Sequence, residues 1–200
     1  LMLSSARCDS TTFREVVEAV GIFPTLEQEY EIPEHERDLI DEESCEIYGE
    51  ITLRGGEMLA AELGISSSDR FADLGSGVGK LAIMMHSQYV CEESIGVELS
   101  EKRHRMGMTA INTLQQLFPH LLHPSRKLQL KNDDLMRLDV SQTTVVYLGN
   151  LLFPDSFLDK IAAKLDSEAP SCRAVASLRK LPLRRFRLDR VLKLPMSWSD

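Results

Sequence analysis

Closely spaced metal ligands and paired cysteines are missing from this 200-residue sequence. Its four cysteines lie far apart and form no CxxC pair, and its five histidines form no HExxH motif. Structural zinc sites and disulfide scaffolds both depend on cysteines at characteristic spacings. We therefore expect neither a metal nor a disulfide framework, and the cysteine usage fits a reducing cytosolic or nuclear compartment.

Long apolar runs are also missing. No run reaches the roughly 18 apolar residues that suggest a membrane span, so we expect no membrane partner. Residues 1–4 lack a basic region followed by an apolar core, so no signal peptide is expected. A hydrophobic content of 43% is enough for one globular domain with a full core and a small helical extension.

The formal net charge is −8, and its distribution is uneven. Acidic residues crowd positions 27–50, whereas basic residues crowd the last thirty positions: Arg173, Arg179, Lys180, Arg184, Arg185, Arg187, Arg190 and Lys193. The negative total argues against a surface that binds nucleic acid throughout. A charge run usually marks a solvated face, but this separation can also orient the protein on a partner that displays both signs.

The hydrophobic pattern predicts strands alternating with helices. A capped helix is expected over 10–22, an irregular acidic connector over 24–46, and a helix from about Gly49 to Leu63 that ends at Gly64. Predicted strands follow at 70–74, 94–98, 127–131, 144–148, 173–178 and 189–194, and helices at 78–88, 101–117 and 154–165. This alternation predicts βαβ units, a mostly parallel sheet and a Rossmann-like α/β fold.

The segment from Phe71 to Gly79 is the most informative in the chain. A buried strand carries Asp73 and is followed by glycines at 75, 77 and 79, which allow a tight turn and a close approach of the backbone to a ligand. Lys80 follows the third glycine, so GxGxxG is not satisfied and dinucleotide binding loses support. Asp73 suits a ligand with a cationic amino-acid end.

Glu98 ends the next apolar run, 19 residues after Gly79. That spacing puts a carboxylate where it can accept both hydroxyls of a bound ribose. Together with the glycine turn it predicts a pocket for S-adenosylmethionine (SAM). The alternative is a Rossmann-like domain with a vestigial or different nucleotide site. Asp134 and Asn150 are expected at the same carboxyl edge of the sheet.

These residues resemble one family, the non-SET histone H3 lysine methyltransferases named for disruption of telomeric silencing. The resemblance covers roughly residues 45–200. It rests on segments shared with that family: Ile47–Glu50, Phe71–Gly79, Glu98, Asn132–Leu135, Asn150–Phe153 and Ser197–Ser199. The Tyr-Gly-Glu element, 25 residues ahead of Asp73, is the most discriminating of them.

The resemblance implies a class I SAM-dependent methyltransferase domain over 48–200 with an N-terminal helical and acidic extension over 1–47. It implies a nuclear enzyme that acts on histone H3 in nucleosomes. We expect a monomer, and the C-terminal basic residues are candidates for contact with DNA. The residues it assigns to SAM are Tyr48, Gly49, Glu50, Asp73, Gly75, Gly77, Gly79, Lys80, Glu98, Asp134, Leu135 and Asn150.

Methyl transfer to lysine requires a neutral amine, whose free pKa is about 10.4. Burial in an apolar channel lowers that pKa, so channel residues carry much of the chemistry. The resemblance places Phe153 and Leu152 as channel walls, with Tyr48 and Asn150 as polar groups that orient the amine or SAM. The alternative for Phe153 is an ordinary core aromatic.

The sequence departs from the family pattern at several points. Gly149 stands where the family has an asparagine next to the transferred methyl, Lys80 replaces a glutamine, and Leu135 replaces a phenylalanine. The sequence given also stops two residues after Trp198, before the tyrosine-rich final strand of the family, and the basic extension that binds DNA in some members is not in it. Two alternatives therefore stay open: a methyltransferase with another small-molecule or protein substrate, and a SAM-binding scaffold without catalysis.

Overall fold

Five parallel strands form the centre of the computed structural model, which describes residues 11–23, 31–37 and 49–198. The strands are β1 (Arg70–Leu74), β2 (Glu93–Glu98), β3 (Lys127–Asn132), β4 (Val145–Leu148) and β5 (Ala174–Ser177). Their spatial order is β3-β2-β1-β4-β5, and every neighbouring pair is parallel. The order reverses between β1 and β4, which is where ligands bind in open α/β sheets.

Helices cover both faces of the sheet. They are α1 (Phe13–Val20), α2 (Glu34–Arg37), α3 (Leu53–Leu63), α4 (Lys80–Ser87), α5 (Glu101–Leu117) and α6 (Asp155–Glu168), with short 3-10 turns at Pro119–Leu121 and Leu135–Arg137. Thr12 and Glu15 form a capping box at the start of α1, and Gly64 ends α3 in the left-handed conformation. None of these helices is both long enough and apolar enough to cross a membrane.

Two apolar layers hold the helices to the sheet. One layer joins Phe13 of α1, Leu59 of α3 and Met85 of α4 to the face of the sheet that carries Phe71. The other joins Ile161 and Leu165 of α6 to the opposite face. Strand residues that alternate in direction supply both layers, as a buried parallel sheet requires.

The predicted Rossmann-like fold is confirmed, and five of the six predicted strands are present within one or two residues of their expected bounds. The strand predicted over 189–194 is wrong. That segment pairs with no strand among the described residues, and Val191 within it is 84% exposed rather than buried against a sheet. The predicted connector over 24–46 contains α2, and its remainder lies largely outside the described residues.

A buried carboxylate ties the amino edge of the sheet together. Asp69 accepts hydrogen bonds from Arg173 at 2.9 Å, from the Thr144 hydroxyl at 2.8 Å and from the Ser66 backbone at 2.8 Å. Burial alone raises the pKa of this carboxyl, but these hydrogen bonds outweigh it and lower the pKa to about 2. The ion pair therefore joins the starts of β1, β4 and β5 on the side opposite the carboxyl edge.

Replacing Asp69 with asparagine should lower the free energy of unfolding by about 2 to 3 kcal/mol at pH 7. A carboxyl whose pKa is depressed in the folded state stabilises above its unfolded value near 4, and this stabilisation fades as the pH falls from about 4 to 2. Urea denaturation between pH 7 and pH 3 measures it, with exposed Asp159→Asn as the control. A difference between wild type and variant that stayed constant over this range would contradict the assignment.

Candidate active site at the carboxyl edge

Asp73 is the second-to-last residue of β1. In the sheet register it lies beside Gly96 of β2 on one side and Tyr147 of β4 on the other. Its side chain is buried, with 3% of the residue exposed, and its Oδ1 has no hydrogen-bond partner among the described residues. Burial raises the pKa of this carboxyl to about 8, and the nearby carboxylates of Glu98 and Glu50 add to the shift. Such a buried acid with an unused oxygen can accept a hydrogen bond from a donor that the described residues do not supply.

The glycine turn follows directly and wraps around the end of β2. The N–H groups of Gly75 and Ser76 both donate to the Val97 carbonyl at 2.9 Å. Gly75 has φ +84° and Gly77 has φ +56°, a region that side chains with a Cβ rarely adopt. A Cβ on Gly75 would lie 3.4 Å from Cζ of Phe153, so this ring borders the turn at the exposed glycine.

Glu98 ends β2 with its carboxylate held in one orientation. The N–H of Gly77 donates to Oε2 at 2.8 Å and the N–H of Ser100 donates to Oε1 at 2.9 Å. Only 7% of the residue is exposed. Each oxygen keeps a further lone pair, so the carboxylate can still accept two hydroxyls from a ligand.

Residues 49–52 and 195–198 form an antiparallel contact that we call the clasp. The N–H of Glu50 donates to the Ser197 hydroxyl at 3.0 Å, the N–H of Ser197 donates to the Glu50 carbonyl at 2.8 Å, and a β-bridge joins Ile51 to Met196. A Cβ on Gly49 would lie 2.1 Å from the Trp198 ring, so any side chain there would have to displace this ring. The clasp fixes the backbone of Glu50 near the pocket.

The side chain of Glu50 pairs with Lys80, the residue that replaces the third glycine position of a dinucleotide motif. Both side chains are largely buried, and the Lys80 ammonium also lies 5.2 Å from the ring centroid of Phe23. Lys80 therefore connects the clasp to the start of α4. Its ammonium forms an ion pair with the Glu50 carboxylate.

Asn150 follows β4 and is fully buried. Its side-chain amide donates to the Arg179 carbonyl at 3.1 Å, and its Oδ1 accepts from the Arg179 N–H at 2.9 Å. Arg179 in turn donates to the Phe153 carbonyl at 2.6 Å. Asn150 thus joins the segment after β4 to the segment after β5, and its side-chain amide is engaged within the protein.

Phe153 is half-buried, and its ring packs edge-on against Phe157 with centroids 5.3 Å apart. It contacts the second apolar layer from its margin, between the core and the glycine turn. This position suits both interpretations made from the sequence, a core aromatic and a wall beside the reacting groups.

Asp134 and Leu135 follow β3 on the other side of β2. Oδ1 of Asp134 accepts from the Met136 N–H at 2.8 Å and begins a 3-10 turn, and Leu135 is buried. The neighbouring Asn132 donates to the Glu98 carbonyl at 3.0 Å, which ties this turn to the end of β2.

The structure brings Asp73, Gly75, Gly77 and Glu98 together, with Glu50 close enough to influence the Asp73 pKa. Gly79 precedes α4 and packs against Leu130, away from the turn's open face. Tyr48 lies outside the described residues. Within those residues no group of three or more His, Cys, Asp or Glu side chains could hold a metal ion.

Sequence reasoning missed three residues that organise the site: Glu36, Ser100 and Arg179. Ser100 had a detectable signal, because a serine directly before a helical pattern is a common N-cap. Glu36 and Arg179 had none, since each acts on a partner more than 25 residues away in the chain.

Comparisons with known proteins agree on one family. A family profile described as "Histone methylation protein DOT1" matches residues 38–192. The H3 lysine-79 specific histone-lysine N-methyltransferase of Caenorhabditis elegans is 26% identical over 127 residues, covering 61% of this chain and 13% of that protein. The enzyme of the same name from Drosophila melanogaster is 24% identical over 149 residues, covering 72% of this chain and 8% of that protein. The chain thus spans only a small part of these relatives.

Solved structures share the fold at low sequence identity. An RNA methyltransferase from Salinibacter ruber in complex with S-adenosyl-L-homocysteine superposes with a TM-score of 0.53 at 18% identity, covering 72% of this chain and 85% of that one. A SAM-dependent methyltransferase from Geobacter sulfurreducens gives a TM-score of 0.51 at 17% identity, covering 73% and 55%. The fold is therefore that of class I methyltransferases.

Proposed function

Because the chain belongs to the family of the histone methylation protein DOT1, we propose that it is a SAM-dependent histone-lysine N-methyltransferase that acts on histone H3 in nucleosomes. The observation that carries the proposal is the unpartnered, buried Oδ1 of Asp73 beside the glycine turn. A pocket with an unused acid at this edge fits a ligand that carries a cationic amino group, and the family match indicates which one.

The residues present fit SAM. Asp73 would hold the ammonium group, and the exposed backbone at Gly75 would let the ligand approach closely. Glu98, oriented by the N–H of the buried Gly77, would accept the ribose hydroxyls. Asp134 and Leu135 remain our proposal for the adenine side, and Glu50 and Lys80 for the methionine side. When bound, SAM supplies a methyl group on a sulfonium that leaves as a neutral thioether, so the leaving group needs no general acid.

The protein's own task is to deliver a neutral lysine amine in line with that methyl group. The Phe153 ring borders the exposed Gly75 of the glycine turn, and Leu152 lies next to Phe153 in the chain. Apolar surroundings disfavour the ammonium form and lower the pKa of the incoming lysine. Alignment within this wall then supplies much of the rate enhancement.

Asn150 contributes to this mechanism by position. Its two hydrogen bonds to the Arg179 backbone hold the segment that carries Phe153, so its loss would displace the wall beside the glycine turn. Tyr48 stays our proposed polar group for the amine, on the strength of the family resemblance. The two roles differ: Tyr48 would touch the reacting groups, whereas Asn150 would hold the segment that surrounds them.

Gly149 offers a test of catalytic competence. No heavy atom of the described chain lies within 4 Å of a Cβ built there, and the residue is exposed. Gly149→Asn should therefore change the free energy of unfolding by less than about 0.5 kcal/mol. One added hydrogen bond near the methyl group should raise turnover about tenfold. Single-turnover assays measure this, with Gly149→Ala as the control. Equal turnover in Gly149→Asn and wild type would mean that a side chain at this position does not reach the transferred methyl group.

We propose that the partner is the nucleosome, met in the nucleus by a monomer of this chain. Of the C-terminal basic residues, Arg173, Arg179 and Arg190 are paired with acids, and Arg185 donates to carbonyls at the end of α6. Lys180, Arg187 and Lys193 make no ion pair among the described residues and stay available for DNA phosphates. Binding should therefore weaken as salt rises.

The test is transfer of radiolabelled methyl from SAM to intact nucleosomes, with free histones and a lysine-substituted nucleosome alongside. We expect label on H3 that disappears when the acceptor lysine is replaced. We also expect the double variant Arg187→Ala/Lys193→Ala to bind nucleosomes more weakly than a Lys160→Ala control on α6. SAM binding without transfer to any histone would favour the scaffold alternative, to which Gly149 gives some support. Transfer to another acceptor would favour a different substrate class.

A further inference from the structure

The segment 31–37 reaches the site through one buried carboxylate. Glu36 of α2 is only 4% exposed. Its Oε2 accepts from the Ser100 hydroxyl at 2.6 Å, and its Oε1 accepts from the Lys102 N–H at 3.2 Å. The Lys102 ammonium returns to the Glu31 carbonyl at 2.9 Å. The segment is therefore fastened to the start of α5 at several points.

Ser100 is bound by two glutamates at once. It is fully buried and caps α5, with its Oγ accepting from the Arg103 N–H at 3.3 Å. While its hydroxyl donates to Glu36, its N–H donates to Oε1 of Glu98 at 2.9 Å. One serine thus connects a carboxylate of the N-terminal segment to the carboxylate proposed for the ribose.

The electrostatics favour this arrangement. The start of α5 presents backbone N–H groups and the positive end of a helix dipole, which together stabilise two carboxylates placed near it. The two glutamates accept hydrogen bonds from different donors. Glu36 accepts from the Ser100 hydroxyl and the Lys102 N–H. Glu98 accepts from the N–H groups of Ser100 and Gly77. Ser100 supplies one of the two N–H groups that hold Glu98, and Glu36 accepts the hydrogen bond from the Ser100 hydroxyl.

We propose that Glu36 is a positioning residue for the ribose carboxylate, so that docking of residues 31–37 and binding of the ribose favour each other. This inference rests on the proposed function. In this proposal residues 31–37 increase the affinity for the cofactor through Ser100 and Glu98, without touching the cofactor themselves. By linkage, the coupling must act equally in both directions.

The experiment separates positioning from general support of the fold. Binding of S-adenosylhomocysteine and of its 2′,3′-dideoxy analogue is measured by calorimetry on the full chain. Glu36→Ala should weaken the first about five- to tenfold, the loss expected for one misplaced hydrogen-bonded group, and leave the second unchanged. Exposed Glu34→Ala on the same helix is the control, and Glu36→Gln, which keeps one acceptor for Ser100, should lose less than Glu36→Ala.

Two further measurements make the outcome decisive. In a Glu98→Ala background, Glu36→Ala should cause no additional loss, because coupled residues are not additive. Hydrogen exchange of residues 31–37 should slow when S-adenosylhomocysteine binds the wild type. Equal losses for both ligands, or full additivity with Glu98→Ala, would overturn the positioning role while leaving the proposed function intact. Failure of the wild type to bind S-adenosylhomocysteine would overturn both.

Discussion

Replacing Glu98 with alanine is expected to weaken S-adenosylhomocysteine binding by about 100-fold or more. Two hydroxyls bound to a buried carboxylate contribute roughly 1.5–3 kcal/mol each. The substitution also leaves the N–H groups of Gly77 and Ser100 without their acceptor, which disturbs the glycine turn and the start of α5 together. Titration calorimetry of the purified chain measures the change.

The control for this variant is Glu101→Ala. Glu101 lies three residues further on, in the first turn of α5, is exposed and pairs only with Arg105 among the described residues. Its loss should leave binding within a factor of about two, as for a surface ion pair. Unchanged affinity in Glu98→Ala would mean that the ribose binds elsewhere. A parallel loss of the folded state in thermal denaturation would mean that Glu98 acts on the structure first.

The second large effect is a dependence of cofactor binding on pH through Asp73. Burial, and then the charges of Glu98 and Glu50, raise the pKa of this carboxyl to about 8 in the ligand-free protein. A bound ammonium group requires the carboxylate form, so binding below pH 8 releases a proton. Affinity should therefore rise up to about tenfold per pH unit between pH 6 and 8.

Stability of the ligand-free protein should change in the opposite sense. An acid whose pKa is higher in the folded state than its unfolded value near 4 binds more protons when folded. The free energy of unfolding then falls as the pH rises from about 4 to 8. Asp73→Asn should remove this fall and weaken ligand binding at pH 8. Calorimetry in buffers of different ionisation enthalpy counts the released proton. Affinity that stayed flat with pH in the wild type would falsify the assignment.

The centre of the fold was predictable because its signals are local. The apolar runs of β1 and β2 alternate with helical patterns, and the glycines after Asp73 mark the turn. Once the strands are known to be parallel, Asp73, Glu98 and Asn150 must meet at one edge. The same argument puts Asp134 at this edge, and the structure places it after β3 as expected.

The rest depends on contacts between distant parts of the chain. Asn150 and Arg179 are 29 residues apart in the chain, and Glu36 and Ser100 are 64 residues apart. The hydrophobic periodicity of a sequence does not reveal which residues this far apart form a hydrogen bond. The segment 189–194 shows the opposite error. It has the apolar alternation of a strand, but strand formation needs a neighbour with free backbone groups, and the sequence does not show that none is available there.

The clasp has a consequence for the order in which the pocket is assembled. Glu50 and Ser197 are 147 residues apart in the chain, whereas the glycine turn needs only β1 and β2. During synthesis on the ribosome, Asp73 and Glu98 can therefore come together long before Glu50 is fixed. A nascent chain that ends between β5 and residue 195 should fold its sheet, whereas the clasp forms only after residues 195–198 emerge.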